Sequence, residues 1–112
     1  MDDDGTALWT GASSRSYTYL VYALVEGLDL DIERGPGNFI FARMNELAEW
    51  VAVFIGQTSD LGGRVNDQRT QVCAIEKGST HVHVRSNPHS GHARLKEVAD
   101  LVEAYEPPCN QW

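Results

Sequence analysis

The chain has 112 residues, 42% of them hydrophobic, and a formal net charge of −7. That length supports one hydrophobic core and excludes two ordinary domains, so residues 1–112 read as a single domain. The negative balance argues against diffuse attraction to a polyanion, because nucleic-acid affinity comes largely from Lys and Arg displacing counterions.

A local basic patch is the remaining route to such a partner, and Arg43, Arg64, Arg69, Arg85, Arg94 and Lys96 are its candidates. With a screening length of about 8 Å at physiological salt, such a patch acts despite acid elsewhere. The opening Met1-Asp2-Asp3-Asp4 is acidic where a secretory signal is basic, and no apolar run approaches the roughly 18 residues of a membrane span. A cytoplasmic, bacterial-type protein without a membrane partner is expected. Cys73 and Cys109 lie far apart without paired spacing, so they are expected as small semi-apolar residues, not as zinc ligands or a disulfide.

After an acidic, Gly/Ser-containing start, Ser16 to Val25 is rich in Tyr and Val and predicts a strand. Glu26 to Pro36 mixes Gly, Asp and Pro and predicts a loop. A second strand begins near Gly37 and ends around Met44-Asn45. Trp50 to Gln57 follows as a nearly continuous apolar run, which fits a strand buried between two neighbours and forming an antiparallel hairpin with the one before. Thr58, Ser59 and Asp60 offer N-cap chemistry for a short helix that projects Arg64, although Gly62 and Gly63 weaken it by about 1 kcal/mol each. Asn66 or Asp67 caps a helix from Gln68 to Lys77, with Val72, Ile75 and Cys73 or Ala74 inward and Gly78 as its left-handed stop. Thr80 to Arg85 alternates as a strand. Ser90 precedes a final helix to about Tyr105, with Leu95, Val98, Val102 and Tyr105 on one apolar face and Pro107-Pro108 beyond it. The order predicts an α+β fold: a small, mostly antiparallel sheet flanked by helices.

Three stretches carry a resemblance. Gly37-Asn38-Phe39-Ile40-Phe41 is followed by Phe54-Ile55-Gly56-Gln57-Thr58-Ser59-Asp60-Leu61, Arg64 stands eight residues after Gly56, and Pro107 or Pro108 precedes Asn110. Over residues 37–110 this resembles the GIY-YIG nuclease superfamily, in particular its small stand-alone bacterial members. The resemblance implies a GIY-YIG-like fold, with a helix arginine that steadies phosphate, a motif tyrosine that helps activate water, and a glutamate of the last helix that holds a divalent metal. A hard cation prefers carboxylate oxygen, and the planar fork of arginine matches phosphate oxygens.

Arg64 and Asn110 fall on the family's positions, whereas Phe39 and Phe54 stand where it carries tyrosines and cannot relay a proton. Losing general acid–base catalysis costs about 10²–10⁴ in rate. The metal-holding glutamate falls on Val98, and this chain has Glu97 instead, an offset of about 100° around a helix. Glu97 is therefore either a displaced metal ligand or a solvated partner of Arg94 or a nearby lysine. His81 and His83 share one face of a strand, a spacing that binds zinc when a third ligand approaches. Two functions follow from the resemblance: a degenerate domain that binds nucleic acid or protein with weak or no hydrolysis, or an active Mg²⁺- or Mn²⁺-dependent DNA endonuclease using Arg64 and Glu97. DNA and a protein are the partners implied.

Overall fold

A computed structural model describes residues 5–111; the acidic start, Met1 to Asp4, lies outside them. Five strands, β1 (Thr6–Thr10), β2 (Ser16–Ala23), β3 (Gly37–Met44), β4 (Trp50–Thr58) and β5 (His81–Ser86), form one sheet in the order β1-β2-β5-β3-β4. Every pairing is antiparallel. Three helices join them: α1 (Leu61–Val65), α2 (Gln68–Glu76) and α3 (Gly91–Tyr105), with a 3₁₀ turn at Pro108–Asn110. The α+β class expected from the sequence is observed.

Alternation along β3 sorts the core into two layers. Phe39 and Phe41 point to one face, opposite Val84 and Val82 of β5, and pack under Ile32, Leu61, Val65 and Ala74. Ile40 and Ala42 point to the other face and meet Trp9, Tyr19 and Leu101 beneath α3. A bulge in β4 breaks the alternation there: Phe41 pairs with Phe54 and Ala42 with Ala52, so Val53 is the extra residue, and Val53 and Phe54 both join the first layer.

Several expectations need correction. β1 was not foreseen in the Gly/Ser-containing start; Trp9 anchors it under α3. β4 is an edge strand, paired with β3 alone, and its apolar run reflects the bulge and the covered outer edge, not a second strand neighbour. That edge is closed by Asn110, whose side-chain oxygen accepts from Ile55 N at 2.8 Å and whose amide donates to Ile55 O at 2.9 Å. In α2 the buried residues are Thr70 and Ala74, while Val72 is 55% exposed and Ile75 50%. In α3 the buried pair is Glu97 and Leu101, and Leu95 is 55% exposed. Both helices are rotated from the most apolar stripe because each meets the sheet through short or hydrogen-bonding side chains. Asp60, Asp67 and Ser90 cap the three helices, and Gly78 adopts φ +89°, as expected.

Cys73 of α2 and Cys109 of the 3₁₀ turn form a disulfide, contrary to the unpaired reading; the chain folds back to bring residues 36 apart in sequence to a Cα separation of 5.9 Å. No helix among the described residues is long and apolar enough to cross a membrane. Disulfides persist mainly in oxidising compartments, so this bond stands in tension with the expected cytoplasmic location. Reduction, or Cys109→Ser, is expected to cost about 2–4 kcal/mol by releasing a constraint on the unfolded chain. Identical thermal midpoints with and without reductant would rule out that contribution.

Candidate functional site

The two motif glycines are explained by packing. Gly56 lies opposite Phe39 in the β3–β4 register, and a Cβ there would sit 2.4 Å from Phe39 Cζ. At Gly37 a Cβ would lie 2.4 Å from the Arg85 carbonyl. The Phe39 ring is fully buried, edge-on to Phe41 and Phe54 at centroid distances of 5.8 and 5.7 Å. Phe54 is half-buried and stacks on Phe41. Both phenylalanines are core residues of the layer beneath α1 and α2.

Arg64 is exposed on α1, where it lines a small recess of about 140 Å³ with Phe54, Arg69, Thr70 and the disulfide. Asn110 is committed to the backbone of Ile55. Glu97 is on the opposite side of the sheet. Its side chain is 4% exposed and lies beneath α3, where it accepts from the Tyr19 hydroxyl at 2.5 Å, from Arg85 Nε at 3.2 Å and from Asn87 Nδ2 at 3.3 Å. The solvated reading of Glu97 is thus overturned: a glutamate on the sheet-facing side of α3 is retained there because three donors meet it. Both of its oxygens are engaged, so it offers Mg²⁺ or Mn²⁺ no open carboxylate. No group of three or more His, Cys, Asp or Glu placed to hold a metal occurs among the described residues. The structure does not bring Arg64, Glu97 and Asn110 into one cleft.

The Glu97 network forms the floor of a pocket of about 550 Å³ between β2, β5 and the first half of α3. Arg85 is held in two ways: its Nε is bonded to Glu97, and its guanidinium lies 5.6 Å from the Tyr17 ring centroid. Asn87 continues the network to Asn38 of β3, whose amide donates to the Arg94 carbonyl of α3. On the far wall Asp100 accepts from Ser13 N and Oγ and from the Tyr17 hydroxyl. The close approach needs glycine at Gly11, where a Cβ would fall 2.1 Å from Asp100 Oδ2. The Ser13 bonds hold the Asp100 carboxyl below its ordinary range. Burial, then the bond to Asp100, pushes the Tyr17 phenol up to about 12, and burial followed by Glu97 raises Tyr19 well above its usual value. Both tyrosines are fixed donors to carboxylates, not proton relays at neutral pH.

His81 and His83 do share a face, but they meet aromatic rings and not a third metal-binding group. Trp50 lies edge-on to both, at 5.0 and 4.5 Å, and His83 Nδ1 accepts from Trp9 Nε1 at 2.9 Å. Burial, then His81, lowers the His83 pKa from 6.5 to about 4.

The sequence reading missed Tyr17, Tyr19, Arg85, Asn87 and Asp100 as a group. A signal existed: Tyr17 and Tyr19 alternate on β2, and His83 and Arg85 alternate on β5, so each pair projects from one face of its strand. Nothing in the sequence showed that β2 pairs with β5. Comparison with protein-family models, curated proteins and solved structures yields no match.

Glu97→Ala leaves the buried Tyr19 hydroxyl unpaired and takes one of two acceptors from the Asn87 amide, and is expected to cost about 3 kcal/mol, read from the urea midpoint; an unchanged midpoint removes the network from the account of stability. His83 has a folded pKa below its unfolded one, so the unfolded chain binds more protons between the two values. Its contribution is therefore complete above pH about 6.5 and is lost as pH falls toward about 4. His83→Phe is expected to flatten that part of the stability–pH curve, and a slope identical to that of the parent would assign the effect to other groups.

Proposed function

We propose that this chain is a GIY-YIG-lineage domain whose phosphodiester hydrolysis is lost and which works by binding nucleic acid or protein. The observation that carries this reading is the separation of Arg64 from Glu97 by the sheet, with Phe39 and Phe54 packed as core residues where hydroxyls would be needed. Hydrolysis at this fold's expected site requires a metal-held carboxylate and a water-activating group beside the arginine. The arginine remains exposed while its partners are absent from its side of the sheet.

Of the two partner classes, the placement of charge favours nucleic acid. The net charge is −7, yet Arg64 and Arg69 stand together at the α1–α2 surface, and Arg15, Arg85 and Lys96 stand together around the larger pocket. Local clusters of this kind act within a screening length. Supercoiled plasmid incubated with the protein and Mg²⁺ or Mn²⁺ is expected to stay uncut, while a labelled oligonucleotide shifts at low salt and is released as salt rises. Arg64→Ala is expected to weaken that shift several-fold. Robust metal-dependent cutting that Arg64→Ala abolishes refutes the loss of hydrolysis; no shift at any salt moves the partner to the protein class.

A further inference from the structure

The polar pocket over the Glu97 network has features that neither a structural role nor the nuclease resemblance uses. Arg85 is anchored through Nε by a buried carboxylate and held against the Tyr17 ring, and its two terminal nitrogens have no protein partner among the described residues. An arginine held at one nitrogen and one face, with its fork unoccupied, is preorganised to accept a pair of oxygens. Its side chain is 34% exposed and lines the cavity, so the fork is reachable.

Two more cations border the same cavity from different elements. Arg15 comes from the turn between β1 and β2, and Lys96 from α3; neither side chain has an ion-pair or hydrogen-bond partner among the described residues. The two carboxylates present are both committed: Glu97 to Tyr19, Arg85 and Asn87, and Asp100 to Ser13 and Tyr17. Counting Arg15, Arg85 and Lys96 against Glu97 and Asp100 leaves one net positive charge, and the His89 imidazole adds a further polar group to the lining. Three cations approaching from separate directions suit a tetrahedral dianion better than a planar carboxylate. The cavity, about 550 Å³, is several times larger than a phosphate group and falls in the range of small-molecule sites. Tyr17 and Ala93 supply wall surface for an attached organic group.

We infer that this pocket binds a phosphate monoester carried on a small organic group, with the Arg85 fork on two phosphate oxygens and Lys96 and Arg15 on the remainder. The inference shares the Arg15, Arg85 and Lys96 cluster with the nucleic-acid reading but does not depend on Arg64, which lies on the other side of the sheet. The same phosphate chemistry could come from a small phosphorylated molecule or from the phosphorylated end of an oligonucleotide, and the two are separated by titration.

The full chain, ¹⁵N-labelled, is titrated with inorganic phosphate, with ribose 5-phosphate, with a 5′-phosphorylated oligonucleotide and, at matched ionic strength, with sodium acetate. Saturable shifts confined to amides around Tyr17, Arg85 and Lys96 are expected with phosphate, and tighter binding with ribose 5-phosphate; acetate should give none. Arg85→Lys keeps the charge beside Glu97 but removes the fork, and is expected to weaken ribose 5-phosphate binding about tenfold. Lys96→Gln, at an exposed position clear of the Glu97 network, should weaken it several-fold with the spectrum of the free protein otherwise unchanged. Arg64→Ala should leave it untouched even where it weakens oligonucleotide binding, so failure here and failure of the nucleic-acid reading are distinguishable. Saturation by the oligonucleotide alone overturns the small-molecule assignment. No saturable binding, or binding that Lys96→Gln and Arg85→Lys leave unchanged, overturns the site and reduces any phosphate effect to an adventitious ion only.

Discussion

A buried carboxylate organises the α3 side of this molecule. Glu97 joins α3 to β2 through Tyr19, to β5 through Arg85, and to the β5–α3 turn through Asn87, which passes the connection on to β3. An ionisable group so enclosed is tolerated only when its lone pairs are satisfied, and removing any one donor exposes the others to the cost of burial. The position of α3 over the sheet is therefore specified by directional bonds at its N-terminal half and by Leu101, Val98 and Val102 against Trp9 and Ile40 at its C-terminal half. Apolar contact alone would allow the helix to rotate toward its exposed Leu95; the carboxylate network is what defines the face.

The same arrangement explains how far the sequence could be read. Strand positions followed from β-branched and aromatic runs, and helix starts from Asp60, Asp67 and Ser90, because these are local rules. The inward faces of α2 and α3 did not follow, because they depend on partners distant in sequence: Ala74 and Thr70 fit closely where bulkier Val72 and Ile75 do not, and Glu97 is drawn in by Tyr19, 78 residues away. The edge position of β4 was hidden by its bulge, which turns two successive side chains into the same layer and imitates a strand covered on both sides. The disulfide depended on a chain reversal after α3 that spacing could not disclose.

At the motif the lesson is sharper. Glycine and aromatic residues at Gly37, Phe39, Phe54 and Gly56 have a complete packing explanation: a phenylalanine ring of one strand lies over a glycine of the next, and the sheet could not close with a side chain there. The requirement on such a pair is steric, so it holds whatever chemistry the chain does or does not perform. Arg64 has no comparable structural reason for being where it is. The contrast separates residues kept by packing from those available for contact, and it places Arg64 and the cluster of Arg15, Arg85 and Lys96 on opposite sides of one sheet.

The Asn110 side chain bears on the order in which the molecule is assembled. It stands in for a strand residue by answering both the donor and the acceptor of Ile55, yet it lies 55 positions later in the chain. During synthesis the β3–β4 hairpin emerges long before its cover, so the outer edge of β4 remains an open template for pairing until α3 has docked and the tail has turned back. An open edge of this kind is a route to association between chains. Closure by a single amide 55 positions later makes the return of the segment after α3, and not formation of the sheet, the moment at which that route is shut.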